Sequence, residues 1–249
     1  MKGIKIMRFS IYCELEDSNM PLDYRRKLVS FFKYAVCNYD KNLYELLYGK
    51  SKNEPKDFCF SVYFPEAKIG SDEINIKSKK LIINISIYDL ELGLYIYNSL
   101  IMQQWKFYEL STYNKIRISN IVFKKEKVIK TDRVKFKTLS PIVIRDHNKM
   151  TGKDWYLTFE DNTYEEILKR NLKSQLLSEF GQEVVEHINN LKIINVSMKK
   201  VIVKSYDINV ACSIGSFILE GKQYLLNYFY KAGLGSKRGL GFSFLDIVE

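Results

Sequence analysis

Segments with the spacing of β-strands and of amphipathic helices follow one another in the same order twice along this chain. In the first half, alternating apolar residues predict four strands, at 7–15, 58–64, 81–88 and 117–125. In the second half, strands are predicted at 134–144, 193–203, 208–219 and 240–248. Two groups of four strands indicate two separate sheets.

Helical patterns lie after the first and third strand of each half. Pro21 is predicted to open the first helix, a shorter helical stretch at 42–48 stops before Gly49, and Asp161 or Asn162 is predicted to cap the long helix of the second half. Apolar residues recur at helical spacing at Leu28, Phe31, Phe32, Ala35 and Val36, at Leu92, Ile96 and Leu100, at Tyr164, Ile167, Leu168, Leu172, Leu176 and Phe180, and at Leu225, Tyr228, Phe229 and Ala232.

The order strand, helix, strand, strand, helix, strand is that of a ferredoxin-like unit. We therefore predict an α+β fold of two tandem ferredoxin-like (βαββαβ) domains, at 1–130 and 131–249. The charged segment 124–137 has no helical face and marks the junction between the halves. Hydrophobic residues make up 46% of the chain and charged residues 27%, the balance of a globular protein with a buried core.

Net charge indicates a negatively charged partner. The 39 Lys and Arg exceed the 29 Asp and Glu, which gives a formal net charge of +10. A membrane surface and simple solubility charge are the alternatives, but 18 Tyr and 15 Phe also supply rings that stack on unpaired bases. The four cysteines form no CxxC pair, and no secretory or membrane-spanning segment is recognised. We expect a cytoplasmic protein without a metal or cofactor and without membrane association.

The most specific motif is the glycine-rich loop GLGSKRGLGFS at 233–243, between the last predicted helix and strand. A dinucleotide-binding loop runs from a strand into a helix, so this order excludes that class. Glycines allow backbone amides to point at phosphate oxygens, and Lys237 and Arg238 add positive charge. The alternative is a tight helix-to-strand turn. The candidate phosphate-binding residues are Gly233, Gly235, Ser236, Lys237, Arg238, Gly239 and Gly241.

This loop resembles that of the CRISPR-associated repeat-RNA endoribonucleases, a repeat-associated superfamily with tandem ferredoxin-like domains. That family ends in G-h-G-x5-G-h-G, where h is hydrophobic, and here only the final glycine is replaced, by Ser243. The segment LSPI at 139–142 is similar to the family strand that opens the second half, and 155–172 is similar to its long helix.

The resemblance implies metal-independent cleavage of precursor CRISPR RNA within the repeat, by attack of a ribose 2′-hydroxyl on the neighbouring phosphate. The family position for a catalytic histidine corresponds to Tyr48, and a family lysine corresponds to Lys52. Lys33 or Tyr34 corresponds to a helix residue that faces the cut. Tyrosine is a weak base, with an ordinary pKa near 10, so Tyr48 is predicted either to orient the hydroxyl or donate a proton, or only to pack at a helix end.

The two histidines leave the enzymatic interpretation open. Neither occupies the family position. His147 is predicted to lie in a polar loop, where contact with the RNA is the less favoured alternative, and His187 is predicted to lie at a helix end. One alternative is a repeat-RNA binding protein of the same fold that does not cut, and another is a general RNA-binding module unrelated to CRISPR. The expected partners are repeat RNA, a CRISPR effector complex and a second copy in a homodimer.

Overall fold

The computed structural model describes residues 7–49 and 56–248. These residues form two compact units: the first contains 7–49, Phe60–Glu126 and Lys204–Asp207, and the second contains 56–59, Lys127–Val203 and 208–248. Along the chain, the main boundary between the two units lies between Glu126 and Lys127, within the charged segment 124–137.

The first unit combines three helices with strands of two sheets. Its helices are α1 (Tyr24–Tyr39), α2 (Lys41–Tyr48) and α3 (Leu90–Ile101). Its strands are β1 (Arg8–Leu15), β2 (Asn19–Pro21), β3 (Phe58–Tyr63), β4 (Ala67–Ile69), β5 (Glu73–Ile76), β6 (Lys80–Ile87), β7 (Tyr108–Ser111) and β8 (Asn114–Phe123). The first two residues of β3 are counted in the second unit.

The main sheet of this unit has the strand order β3-β6-β1-β8-β7. Its first four strands follow the ferredoxin-like pattern, with β7 added at one edge. In the register of β1 and β6, Phe9 lies opposite Ile85 and Ile11 opposite Ile83. These four side chains are buried, so the alternation in the sequence specifies the core face of the sheet.

The predicted helical stripes are the buried faces of α1 and α3. Leu28, Phe31 and Ala35 of α1 are all at most 1% exposed. Helix α2 begins where the Asp40 carboxylate accepts hydrogen bonds from the amides of Asn42 and Leu43, at 2.7 and 3.2 Å. Gly49 ends this helix as predicted.

Pro21 does not open a helix. It is the last residue of β2, opposite Glu73 of β5, in a small sheet of order β2-β5-β4, and α1 begins three residues later. A proline in an extended segment satisfies the same φ restriction as one at a helix start, so the residue alone does not distinguish the two. Strands of three and four residues are also too short for periodicity to identify.

The second unit contains the remaining elements. Its helices are α4 (Tyr164–Phe180), α5 (Glu183–Asn189) and α6 (Gln223–Ala232), with a 3-10 turn at Arg238–Leu240. Its strands are β9 (Arg133–Thr138), β10 (Ile144–His147), β11 (Asp154–Leu157), β12 (Lys192–Asn195), β13 (Lys199–Ser205), β14 (Ile208–Ile214), β15 (Ser216–Glu220) and β16 (Leu245–Ile247).

Its main sheet has the order β12-β15-β9-β16, which repeats the arrangement of the first unit. Two hairpins, β10-β11 and β13-β14, are added to this sheet's connections. The tandem ferredoxin-like prediction is therefore confirmed, and each unit carries its own insertions.

The long strands predicted for this unit are divided. The predicted strand 208–219 is broken at Gly215, which has φ +137°, and a Cβ atom there would lie 2.2 Å from the Ser197 carbonyl oxygen. The predicted strand 240–248 shrinks to Leu245–Ile247 because Gly241 and Ser243 have left-handed backbone angles. Periodicity detects extended chain but not the residues at which it turns.

The predicted cap of α4 is also wrong. Thr163 precedes the helix without a side-chain cap, and the Asp161 carboxylate instead accepts hydrogen bonds from the amide and hydroxyl of Thr158, at 2.7 and 2.8 Å. No helix within the described residues is both long and apolar enough to cross a membrane.

Candidate functional site

Tyr48 lies at the last position of α2, against α1. The Lys33 ammonium nitrogen is 5.2 Å from the centre of the Tyr48 ring, within the range of a cation–π contact. One turn earlier on α2, the Tyr44 ring lies 5.8 Å from that of Tyr48. Packing of α2 on α1 thus brings a phenol and an ammonium group together.

Burial controls the chemistry of Tyr48. It raises the pKa of the phenol well above its ordinary value, and the neighbouring Tyr206 and Tyr44 raise this pKa further. Tyr48 therefore stays neutral at physiological pH and can donate a hydrogen bond or a proton, but it cannot act as a general base there.

The other two candidates of this group lie elsewhere. Tyr34 is 45% exposed, and its ring packs on Tyr108 of β7, with 5.0 Å between ring centres. Lys52 lies outside the described residues. The structure therefore brings Lys33 and Tyr48 together and places Tyr34 against a different neighbour.

The glycines of the loop at 233–243 are buried and make close backbone contacts. Gly233 and Gly235 have φ values of +87° and +106°. A Cβ atom on Gly233 would lie 2.6 Å from the Ser243 carbonyl oxygen, and one on Gly235 would lie 2.6 Å from the Val143 carbonyl oxygen. Both positions therefore require glycine for packing and conformation, whatever else the loop does.

Several loop amides donate within the protein rather than outward. The Gly233, Ser236 and Gly241 amides donate to the carbonyl oxygens of Phe229, Val143 and Arg238, at 3.0, 2.8 and 3.2 Å. This differs from the expectation of successive amides directed at phosphate. Gly239 is also buried, and a Cβ atom there would lie 2.9 Å from the Cγ atom of Lys56.

Arg238 is a buried structural cation, in contrast to the prediction that it faces phosphate. The residue is 3% exposed. Its guanidinium lies 2.9 Å from the Tyr228 hydroxyl and 3.2 Å from the Asp57 carboxylate, and the Tyr228 hydroxyl donates to the same carboxylate at 2.6 Å. The positive charge of Arg238 is used inside the second unit, because a buried guanidinium needs a partner of opposite charge.

Lys237 differs from its neighbour because it is partly exposed. It adopts a left-handed conformation, with φ +58°, and its ammonium nitrogen lies 5.3 Å from the centre of the Tyr156 ring. Burial, together with the nearby Arg145, lowers the pKa of Lys237, and Asp154 opposes this shift. Of the predicted loop contacts, Ser236 and Lys237 are the two that remain partly accessible.

Ser243 stands where the resemblance expects the last glycine. It has φ +67° and is fully buried, and its amide donates to the Pro141 carbonyl oxygen at 2.8 Å. A non-glycine residue is strained in this conformation, which explains why the pattern calls for glycine here.

Residues 124–247, which contain this loop, match the family described as CRISPR associated protein Cas6, C-terminal. The chain belongs to the Cas6 family through this region. No curated protein sequence matches the chain.

Solved structures support the Cas6 fold along nearly the whole chain. A structure described as a Cas6-related gene product from Pyrococcus furiosus is 22% identical, with a TM-score of 0.84, and the match covers 98% of this chain and 99% of that one. A structure described as a RAMP protein binding different RNA substrates is 20% identical, with a TM-score of 0.81, over 97% and 99% of the two chains. A structure described as CRISPR associated protein Cas6 is also 20% identical, with a TM-score of 0.73, over 97% and 99%.

Sequence reasoning missed one polar cluster of this Cas6-family chain. His147 is the last residue of β10, not part of a loop, and its ring contacts Asp154 of β11. The signal in the sequence was the polar turn around Gly152, between 144–147 and 154–157, because neither of these four-residue segments alternates. His187, by contrast, lies in α5 within hydrogen-bonding distance of the Tyr224 hydroxyl, at 2.9 Å.

Proposed function

We propose that this chain binds CRISPR repeat RNA and cleaves it within the repeat without a metal ion. The supporting observation is the Cas6 family match over 124–247. The formal net charge of +10 fits a polyanionic substrate, because Lys and Arg neutralise phosphates along the strand.

In the proposed reaction the ribose 2′-oxygen attacks the adjacent phosphorus, and the bond from phosphorus to the 5′-oxygen breaks. The products are a cyclic phosphate and a 5′-hydroxyl, so the 2′-hydroxyl gives its proton to solvent water and the 5′-oxygen gains one from Tyr48 or from water. Tyr48, neutral at physiological pH, serves as a hydrogen-bond or proton donor, and Lys33 supplies positive charge for the phosphorane.

We expect slow turnover from this set of side chains. Tyr48 cannot accept the proton of the 2′-hydroxyl, so alignment of the attacking oxygen and charge stabilisation carry the reaction. Alignment alone lowers a barrier by about 7 kcal/mol or more in favourable cases, so weak acid–base catalysis is compatible with cleavage. Lys52 and Tyr34 complete the proposed group, and Ser236 and Lys237 of the loop are the proposed contacts to the RNA backbone.

Cleavage of repeat RNA in the presence of EDTA tests this proposal. We expect cutting at one position, and we expect it to stop when the 2′-hydroxyl beside that position is replaced by hydrogen. Cutting that EDTA abolishes, or that persists without the 2′-hydroxyl, would contradict the proposed chemistry.

The second candidate function is repeat-RNA binding without cleavage. The raised pKa of Tyr48 at the family's histidine position favours it, because this residue cannot replace histidine as a base. It predicts tight binding of the repeat and intact RNA in the same assay. Equal affinity for repeat and scrambled RNA would instead indicate a general RNA-binding module.

Tyr48→Phe tests the hydroxyl of Tyr48 alone, because it keeps the ring and its packing. We expect cleavage to slow about tenfold, the value of one hydrogen bond, with repeat affinity unchanged. Tyr44→Phe is the matched control, since this tyrosine precedes Tyr48 by one turn on the same helix. Lys33→Ala and Lys52→Ala should likewise slow cleavage more than binding, and equal effects on both would make these lysines binding residues only.

The effector-complex and homodimer partners stay predictions. Light scattering on the purified protein with and without repeat RNA would report a second copy.

A further inference from the structure

One face of the β10-β11 hairpin collects charged side chains from both strands. In the hairpin register, Arg145 lies opposite Tyr156 and His147 lies opposite Asp154. Side chains two residues apart on a strand share a face, so these four side chains point to the same side.

Asp154 holds this cluster together. Its Oδ1 atom lies 2.7 Å from Arg145 Nε and 2.7 Å from His147 Nδ1, and its Oδ2 atom accepts a hydrogen bond from the Tyr156 hydroxyl at 3.3 Å. Although burial opposes it, the ion pair with Arg145 and the hydrogen bond from His147 hold the pKa of Asp154 below its usual value. The carboxylate therefore stays ionised and orients both the guanidinium and the imidazole.

Asp154 also determines which imidazole nitrogen faces outward. A carboxylate only accepts hydrogen bonds, so the 2.7 Å contact places a proton on His147 Nδ1, and the 3.2 Å approach of Arg145 Nη2 to the same nitrogen is secondary. The other ring nitrogen, Nε2, is left for a ligand, and the His147 side chain is 41% exposed.

Lys237 enters this face from the glycine-rich loop. Its ammonium lies over the Tyr156 ring, and Arg145 is close enough to lower its pKa. Within 7–49 and 56–248, no carboxylate lies within ion-pair distance of this ammonium. Asp146 does not neutralise the excess positive charge on this face, because it lies on the opposite face of the hairpin and pairs with Arg170 at 2.8 Å.

The face therefore presents two permanent cations against a single carboxylate, with Lys237 and Arg145 disfavouring each other. A bound anion would relieve that repulsion and replace the missing partner of Lys237. A phosphodiester oxygen fits this need, because it accepts from guanidinium and ammonium groups, and from His147 Nε2 when both ring nitrogens carry a proton.

We propose that this face of the β10-β11 hairpin is a binding site for one phosphodiester of the RNA strand. Arg145, His147 and Lys237 contact the phosphate, and Asp154 and Tyr156 are positioning residues. The inference rests on the proposed function and deepens it, since it adds a second element to the RNA-binding surface beyond the glycine-rich loop.

Asp154→Asn distinguishes a positioned site from general positive charge. The substitution raises the net charge by one, so general electrostatics predicts tighter RNA binding. A positioned site predicts the opposite, because Arg145 and His147 lose the group that orients them. We expect repeat affinity to fall about threefold to tenfold, measured by fluorescence anisotropy at several salt concentrations.

Lys237→Ala completes the test, with Lys192→Ala as its matched control in the same unit. Lys192 has a carboxylate partner, Glu220 at 3.6 Å, and lies on β12. We expect Lys237→Ala to weaken repeat binding about fivefold to tenfold and to reduce the salt slope by about one, and Lys192→Ala to change affinity less than twofold.

The outcomes separate the two proposals. Unchanged or tighter binding by Asp154→Asn, together with equal effects of the two lysine variants, would overturn the hairpin site while repeat binding by the unaltered protein stands. Failure of the unaltered protein to bind repeat RNA would overturn the proposed function and the hairpin site together. If circular dichroism shows that Asp154→Asn does not fold, Tyr156→Phe takes its place, since it removes one hydrogen bond to Asp154 and keeps the ring beneath Lys237.

Discussion

The glycine-rich loop at 233–243 and the β10-β11 hairpin contrast in what their sequences suggest and in what their side chains do. The loop has the stronger sequence signature, yet its glycines are packed against backbone and its Arg238 is buried in an ion pair. The hairpin has no recognised motif, yet it exposes an arginine and a histidine that both contact one carboxylate. Charge in a sequence is available for binding only where the fold leaves it accessible.

Removal of one arginine from each region should give the largest difference. Arg238→Ala is expected to lower the free energy of unfolding by about 3 kcal/mol, the lower end for a broken buried ion pair, because the Asp57 side chain is 40% exposed and keeps some hydration. Arg145→Ala should cost less than about 1 kcal/mol, since its pair with Asp154 is partly solvated. Urea unfolding measures both, and similar losses would erase the contrast.

One glycine from each region gives the next comparison. Gly235→Ala should destabilise the protein about 2 kcal/mol more than Gly152→Ala. Both have positive φ, but a Cβ atom at Gly235 would strike the Val143 carbonyl oxygen, whereas no atom lies within 4 Å of one at Gly152. Equal destabilisation in denaturant unfolding would show that the loop adjusts at no cost.

One tyrosine beside each region should make the free energy of unfolding depend differently on pH above pH 10. Burial raises the pKa of Tyr228 well above the unfolded value near 10, so its stabilising contribution is complete below pH 10 and is lost as pH rises further. Between pH 10 and 11 this loss is about 1 kcal/mol. Tyr228→Phe should remove that part of the alkaline decline, and Tyr156→Phe should remove less, since Tyr156 is only partly buried. Unfolding free energies at pH 9, 10 and 11 would show whether the slopes differ.

The smallest expected effect concerns the left-handed positions. Ser243→Gly should stabilise the protein by about 0.5 kcal/mol, because glycine adopts φ +67° without strain and the serine hydroxyl makes only a 3.5 Å contact with the Ser236 carbonyl oxygen. The reverse change in the hairpin, Gly152→Ser, should cost about 1 kcal/mol. Destabilisation by Ser243→Gly would indicate that the buried hydroxyl matters more than backbone strain.

Local periodicity predicted the fold well where elements were long. The buried faces of α1 and α4 and the core-facing residues of β1 and β6 follow from side chains that repeat every 3.6 or 2 residues. The same reasoning failed at Pro21, at Asp161 and at the break after Ile214, because a short strand, a turn and a close backbone approach depend on distant partners.

The candidate sites show the same division. The resemblance grouped Tyr48 with Lys33 or Tyr34, and their catalytic roles stay predictions. The burial that raises the pKa of Tyr48 depends on how α2 packs, which no sequence pattern gives. Lys52 lies outside the described residues and keeps only its predicted role. The hairpin cluster was missed because two four-residue strands carry too little periodicity to be paired from sequence.

By itself, the sequence determined the order of the main-sheet strands and the helices between them, their apolar faces and the positive net charge, because each depends on residues close together along the chain or on composition alone. Only the tertiary structure decided which cation is buried and which remains accessible. Arg238 and Asp57 are 181 residues apart in sequence, so no local pattern identifies them as partners. Adjacent residues in one loop thus acquire opposite environments through contacts that only folding creates.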